Sequence, residues 1–389
     1  MKVAKRMDLI KPSGTISMSE KARAMKRSGR KVYNLDVGEP DFDTPEHVKE
    51  AACEAIKSGF THYTSSRGII ELREAISEDL KSRGFEANPE KEIIVTPGAK
   101  HAIYCACLAT LDPKDEVLVL SPTWPTHFTC IEAAEAKAIE VPCGEAYSLD
   151  EEALKGKITR KTKMVVVNSP NNPTGGVLSL QDLKAIADLA VDHDLLVLSD
   201  EIYDQMVYDG LEARSMASFE GAKERTIVVN GFSKTYAMTG WRLGYASANK
   251  DIIDAMNTVQ QATTTCPTSF SQKAGVAALK GTQEPLRKMV EEYDRRRRFI
   301  VKGLNEIAGI RCVMPKGAFY AFPDLSSLRM PSVELGSKLL EEEGVCTTPG
   351  SAFGECGEGH IRCSYATDLE TISAALEKIK KFVGKYVRS

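Results

Sequence analysis

The sequence predicts an α/β chain, with a large domain on a mainly parallel sheet with helices on both faces and a smaller α+β domain. Three observations carry that expectation. Strand-like and helix-like segments alternate from about Pro45 to about Gly281, as in successive βαβ units. Several strand segments, 117–120, 165–167 and 195–198, are unbroken apolar runs, as expected where helices cover both faces of a sheet. At 389 residues, the chain is also long for a single core.

In chain order, a short strand before Thr96-Pro-Gly98-Ala99 is followed by helix-like sequence. Free N–H groups at that helix start suit an anion, although the G-x-x-x-x-G-K spacing of a nucleotide loop is absent. The run 117–120 leads into Ser121-Pro-Thr-Trp124, where one of only two tryptophans is either a binding residue or core. The run 165–168 ends in Ser169-Pro-Asn-Asn172-Pro-Thr-Gly-Gly, a turn dense in Pro, Asn and Gly. After helix-like 180–193, the run 195–200 ends on Asp200, at the strand end where ligands of open α/β sheets collect. A helix N-cap is the alternative role for this Asp.

Residues 225–230 read as a buried strand, and 231–244, G-F-S-K-T-Y-A-M-T-G-W-R-L-G, follow directly. A lysine held just past a strand end can be a reactive amine; a solvated charge is the commoner fate. Further on, 291–298 reads as the start of a long helix leaving the large domain. Its four arginines fit a solvated face, since Glu291, Glu292 and Asp294 sit among them. The strand-like 359–366 contains Arg362, whose guanidinium offers two parallel donors to a carboxylate.

The stretch around Lys234 resembles the lysine signature of class I/II aminotransferases, the pyridoxal-phosphate enzymes of fold type I, at Gly231, Ser233, Lys234, Gly240, Arg242 and Gly244. Asp200-Glu-Ile-Tyr203, Asn172-Pro-Thr-Gly, Arg362-Cys-Ser-Tyr-Ala and Gly38-Glu-Pro-Asp-Phe resemble further motifs of that family. The resemblance implies a seven-stranded sheet, a large domain over 45–285, and a small domain assembled from 1–44 and 286–389. It implies pyridoxal 5'-phosphate as cofactor, in Schiff-base linkage to Lys234. Asp200 would then face the protonated pyridine nitrogen, which the cofactor needs as an electron sink. Tyr203 and Asn172 would bond its phenolate oxygen, and Trp124 would stack on its ring. Gly98, Ala99, Ser233 and Arg242 would hold its phosphate, helped by Tyr63 of a neighbouring subunit, so a homodimer with shared active sites is implied. Arg362 and Gly38 would bind the substrate α-carboxylate.

The resemblance is closest to the prokaryotic-type aspartate branch and covers nearly the whole chain. There a lysine after the phosphate turn and an N-terminal Ser/Thr element hold the distal carboxylate, which points to Lys100 and Thr15, although Lys100 also fits a surface helix position. Gly14, Arg67 and the Thr-Trp-Pro-Thr around Trp124 depart from the branch pattern. The implied reaction is a ping-pong transamination between an amino acid and a 2-oxo acid, with Lys234 as general base and acid. Aspartate with 2-oxoglutarate is the expected pair. Aromatic or alanine-type donors stay open, as do carbon–sulfur β-lyase and cyclopropane-carboxylate synthase chemistry on the same frame. A cofactor-bearing transcription factor would need a basic DNA-binding extension, which is not found before the first motif.

Composition bounds the remaining classes. With 51 basic against 54 acidic residues, nothing favours a nucleic-acid partner. No stretch of apolar residues is long enough for a membrane span, and residues 1–11 lack the apolar centre of a signal peptide. Ten scattered cysteines without a C-x-x-C pair fit reduced thiols in the cytoplasm, and the six histidines lack metal-ligand spacing, so no metal is expected.

Overall fold

The computed structural model describes residues 3–8 and 14–386, with the side chains of 5, 6 and 14–17 outside the description. Helix α1 (Gly14–Arg27) leads to the short strand β1 (Tyr33–Asn34), then α2 (Glu46–Lys57) and α3 (Ile70–Ser82). The alternating region follows as β2 (Ile93–Thr96), α4 (Ala99–Thr110), β3 (Glu116–Ser121), α5 (Pro125–Ala133), β4 (Lys137–Pro142), α6 (Glu151–Gly156), β5 (Thr162–Asn168), α7 (Leu180–Asp192), β6 (Leu196–Asp200), β7 (Thr226–Gly231) and β8 (Gly244–Ser247). Helices α8 (Lys250–Thr263), α9 (Ser269–Lys280) and α10 (Glu284–Asn305) come next. The chain closes with β9 (Tyr320–Ala321), α11 (Ser332–Glu343), β10 (Val345–Cys346), β11 (Thr348–Pro349), β12 (Ile361–Ser364) and α12 (Leu369–Tyr386).

Seven strands form one sheet in the order β2-β8-β7-β6-β5-β3-β4, parallel except that β8 runs antiparallel to both neighbours. The apolar strand runs are explained by cover on both faces. Ile103, Ala106 and Ile131 of α4 and α5 pack with Val117, Met164 and Ile227, while Leu183, Ile186 and Ala190 of α7 pack with Leu118, Val165 and Val197. Alternate residues of each strand thus enter opposite cores. Helix α7 starts where Ser179 and Asp182 cap each other reciprocally, at 3.1 and 2.9 Å. Its buried positions recur at helical spacing, and each buried Leu or Ile contributes roughly 1.5–3 kcal/mol.

The register that matters most aligns strand ends. Asn168 of β5 lies opposite Asp200 of β6, which lies opposite Val229 of β7, so three carboxyl ends open on one edge. A second, antiparallel sheet, β11-β12-β9, carries Arg362, and β1 pairs in parallel with β10. Residues 33–34 therefore belong with the C-terminal strands.

Two expectations for the arginine-rich stretch are corrected. The helix begins at Glu284, not near Glu291, with Pro285 in its first turn. Arg295 and Arg298 are exposed, but Arg296 and Arg297 are buried. Arg296 Nη1 donates to both Asp41 carboxylate oxygens at 2.9 and 2.8 Å; Arg297 forks onto Asp209 through Nη1 and Nη2, each at 2.9 Å, and reaches the Pro315 carbonyl at 2.6 Å. Glu292 and Asp294 of the same helix also pair with Arg296 and Arg297, but the acids that complete this inward face, Asp41 and Asp209, are far away in sequence, where local spacing does not reveal them.

All ten cysteines are free. Among the described residues no helix is long and apolar enough to cross a membrane, and no cluster of His, Cys, Asp and Glu could hold a metal ion.

At the end of α11 the buried carboxylate of Glu343 meets Lys381 at 2.9 Å and Lys385 at 2.9 Å, which ties α12 down. The Lys381 hydrogen bond, then Lys385, holds its pKa at about 2. A folded-state pKa below the unfolded value gives stability that is full above the ordinary carboxylate range and lost as pH falls toward 2. Urea unfolding should therefore find wild type more stable than Glu343→Gln at about pH 6, with the gap narrowed at about pH 3 and closing only as pH approaches 2. A gap independent of pH would contradict this role.

Candidate active site

The carboxyl edge of the large sheet and the second sheet enclose a cavity of about 610 Å³. Its floor follows from strand ends. Asp200, the last residue of β6, is buried and accepts from the Ile202 amide at 3.3 Å. Its other oxygen lies 3.0 Å from His127 Nε2, and His127 Nδ1 lies 3.0 Å from Thr123 Oγ1. This chain of side chains forms where α5 starts, with His127 in its first turn and Thr123 just before its N-cap. Neighbouring Asn168 donates to the Asp200 carbonyl at 3.0 Å and accepts from the Asn172 amide at 3.0 Å, which shapes the turn.

Lys234 stands just beyond β7. Its Nζ donates to the Gly38 carbonyl and lies 5.7 Å from the centre of the Phe319 ring. Burial lowers its pKa to about 8; Arg362 and Arg242 also lower it, while Glu39 and Asp200 act the other way. About one amine in ten is then neutral at pH 7, against about one in three thousand for a lysine at the usual 10.5.

Two cations flank it. Arg362 is buried, with Nη1 donating to Asn172 Oδ1 at 3.0 Å and Nη2 to the Asp36 carbonyl at 2.6 Å. Its Nε has no partner among the described residues, and the guanidinium stacks 4.4 Å from the Tyr320 ring centre. Tyr320 and Tyr203 share a hydrogen bond of 2.8 Å, and burial raises both phenol pKa values. Arg242, held at φ 54°, donates to the Thr239 carbonyl at 3.0 Å and lies against Gly98. Gly98 has φ +88°, and a Cβ there would come within 2.6 Å of that guanidinium. It immediately precedes α4, whose first amides have no acceptor within the helix.

Of the sequence-derived residues, the cavity collects Lys234, Asp200, Tyr203, Asn172, Trp124, Ala99, Ser233, Arg242, Arg362, Gly38 and Lys100, with Gly98 behind Arg242. Lys100 Nζ sits 5.0 Å over the Trp124 ring, so Trp124 is a wall rather than core. Tyr63 does not join them; its ring is 88% exposed. The side chain of Thr15 lies outside the described residues. Sequence reasoning missed His127, Tyr320, Asp36 and three α1 residues, Ser19, Glu20 and Arg23. Only His127 left a trace, as the ring four residues past Thr123 in an otherwise unexplained T-W-P-T-H.

Residues 30–379 match the family described as aminotransferase class I and II. The chain is 45% identical to an aspartate aminotransferase of Pyrococcus abyssi, over 98% of both chains. It is 42% identical to aromatic-amino-acid aminotransferase 2 of Thermococcus litoralis, again over 98% of both. Among solved structures, the aspartate aminotransferase from Rhizobium meliloti superposes with a TM-score of 0.94 at 39% identity, covering 99% of each chain.

The lowered pKa has a direct consequence. In cofactor-free protein, amine labelling of Lys234, followed by peptide mass spectrometry, should rise with a midpoint near pH 8. A midpoint near 10.5 would mean that the amine is solvated.

Proposed function

The chain belongs to the class I and II aminotransferases, and we propose that it moves the amino group of L-aspartate to 2-oxoglutarate with pyridoxal 5'-phosphate as cofactor. The observation that carries this reading is one cavity holding a partly neutral Lys234 amine, the buried Asp200 carboxylate and the buried Arg362 guanidinium.

The residues present fit such a cofactor. The missing Cβ at Gly98 leaves Arg242 space beside the start of α4, where a cation and helix amides suit a phosphate. Lys234 would carry the aldehyde, with Asp200 at the ring nitrogen and Tyr203 and Asn172 at the ring oxygen. Trp124 would cover one ring face, and Ala99 and Ser233 would complete the phosphate cradle with Gly98 and Arg242. Tyr63 of a second copy would reach that phosphate, which gives its exposed ring a purpose and implies a homodimer.

When bound, this cofactor supplies an electron sink for the pair left behind as the substrate α-carbon loses its proton. The protein's part is positional and protonic. Arg362 accepts the α-carboxylate through its unpartnered Nε side, and the Gly38 backbone helps to hold it. The Lys234 amine, when released, takes the α-proton and returns it elsewhere, a task for which a pKa of about 8 suits it better than 10.5. His127, braced by Thr123, fixes the orientation of the Asp200 carboxylate and excludes water from it.

Lys100 on the cavity wall favours a donor with a second carboxylate. Aromatic donors form a second reading, supported by the Trp124 wall and by the similar identities of the aspartate-named and aromatic-named relatives, 45% and 42%. The separation of the seven-stranded sheet from the two smaller sheets supports a large domain at 45–285 and a small one at 1–44 with 286–389. The free cysteines support a reducing, cytoplasmic setting.

Adding L-aspartate without any oxo acid should shift the bound cofactor's visible band into the near ultraviolet. Lys100→Ala should weaken the concentration dependence of that shift about tenfold, the effect of losing one ion pair. Inertness toward aspartate with response to phenylalanine would transfer the reaction to the aromatic reading.

A further inference from the structure

Four cations of the cavity have roles in the proposed reaction: Lys234, Arg362, Arg242 and Lys100. A fifth, Arg23, has none. It comes from α1, which rests on α11 and β10 through Met18 and Ala22 against Leu340 and Cys346. Residues four apart share a helix face, so Ser19 and Arg23 form the stripe beside that buried one, and Glu20 falls next to it. All three line the cavity. Both are exposed at the cavity, and among the described residues neither Arg23 nor Glu20 has a hydrogen-bond or ion-pair partner, although the site they line is crowded with charge.

The stripe is fixed to the carboxylate-binding centre. Ser19 Oγ donates to the Asp36 carboxylate, and the Asp36 carbonyl accepts from Arg362 Nη2 at 2.6 Å. The position of α1 is thereby coupled to the guanidinium expected to hold the substrate's first carboxylate. Lys100 lines the same cavity. Its ammonium rests on the Trp124 ring, and burial, with Arg242 adding to the effect, lowers its pKa. An arginine keeps its charge at any working pH and presents a planar fork that matches a carboxylate.

The geometry points to Arg23 as a specificity-determining residue: together with Lys100, it receives the distal carboxylate of a dicarboxylic substrate, and Glu20 beside it tempers that attraction. This inference rests on the proposed dicarboxylate transamination. It gives two neighbouring positions opposite signs, since removing Arg23's charge weakens dicarboxylate binding while removing Glu20's strengthens it.

The test uses holoenzyme, as wild type, Arg23→Gln and Glu20→Gln. The half-reaction with L-aspartate and with L-phenylalanine is followed by cofactor absorbance, and binding of unreactive succinate by calorimetry. In Arg23→Gln, the preference for aspartate over phenylalanine should fall about tenfold, or about 1.4 kcal/mol, through weaker binding rather than a lower limiting rate, with succinate weakened in parallel. In Glu20→Gln, succinate binding should tighten. An unchanged preference and unchanged succinate affinity in Arg23→Gln would overturn the inference, as would an equal loss for both amino acids, the mark of a residue that only shapes α1. A wild-type enzyme that ignores aspartate and succinate would instead remove the reading on which the inference stands.

Discussion

A lysine amine becomes partly neutral near physiological pH chiefly where water is withheld from it, and the arrangement around Lys234 depends on that constraint. The strand ends of the large sheet provide the floor, and the Gly38 and Phe319 segments close over the amine. Desolvation dominates the shift, and two nearby guanidiniums add to it, against Glu39 and Asp200. Were the cavity opened to water, the same residues would leave an ordinary solvated cation.

The cost of collecting charge in a buried place is met by hydrogen bonding, and the partners come from across the fold. Asp200 is braced by His127 and Thr123 from the start of α5. Arg362, on the second sheet, reaches Asn172 at the end of β5 and the Asp36 carbonyl of the N-terminal segment. A buried guanidinium with fewer partners would be strongly destabilising. This one retains an unpartnered Nε, the feature expected of a group kept ready for an incoming carboxylate. The paired Arg296 and Arg297 of α10 treat the same problem structurally, with acids supplied by distant loops.

The large sheet was legible because its strands are apolar runs and its turns carry unusual residues: Lys234, Asp200 and Asn172 all follow strand ends, where sequence order and spatial order coincide. Arg362 could be read as a lone cation inside an apolar strand. What could not be read depends on long-range pairing. The burial of Arg296 and Arg297 depends on the distant Asp41 and Asp209, and the Tyr203–Tyr320 bond joins the turn after β6 to β9. The α1 stripe of Ser19, Glu20 and Arg23 looks like any polar helix face until the fold sets it over the cavity. Tyr63 shows the converse, a motif residue whose proposed partner belongs to a second copy of the chain.

The most direct measurement is borohydride reduction of the holoenzyme followed by peptide mapping. The account predicts that the reduced cofactor's mass is fixed to the peptide containing Lys234 and that prior exposure to excess L-aspartate prevents the attachment. Attachment at Lys100 or another lysine, or no attachment, would contradict the claim that the buried Lys234 amine is the reactive centre.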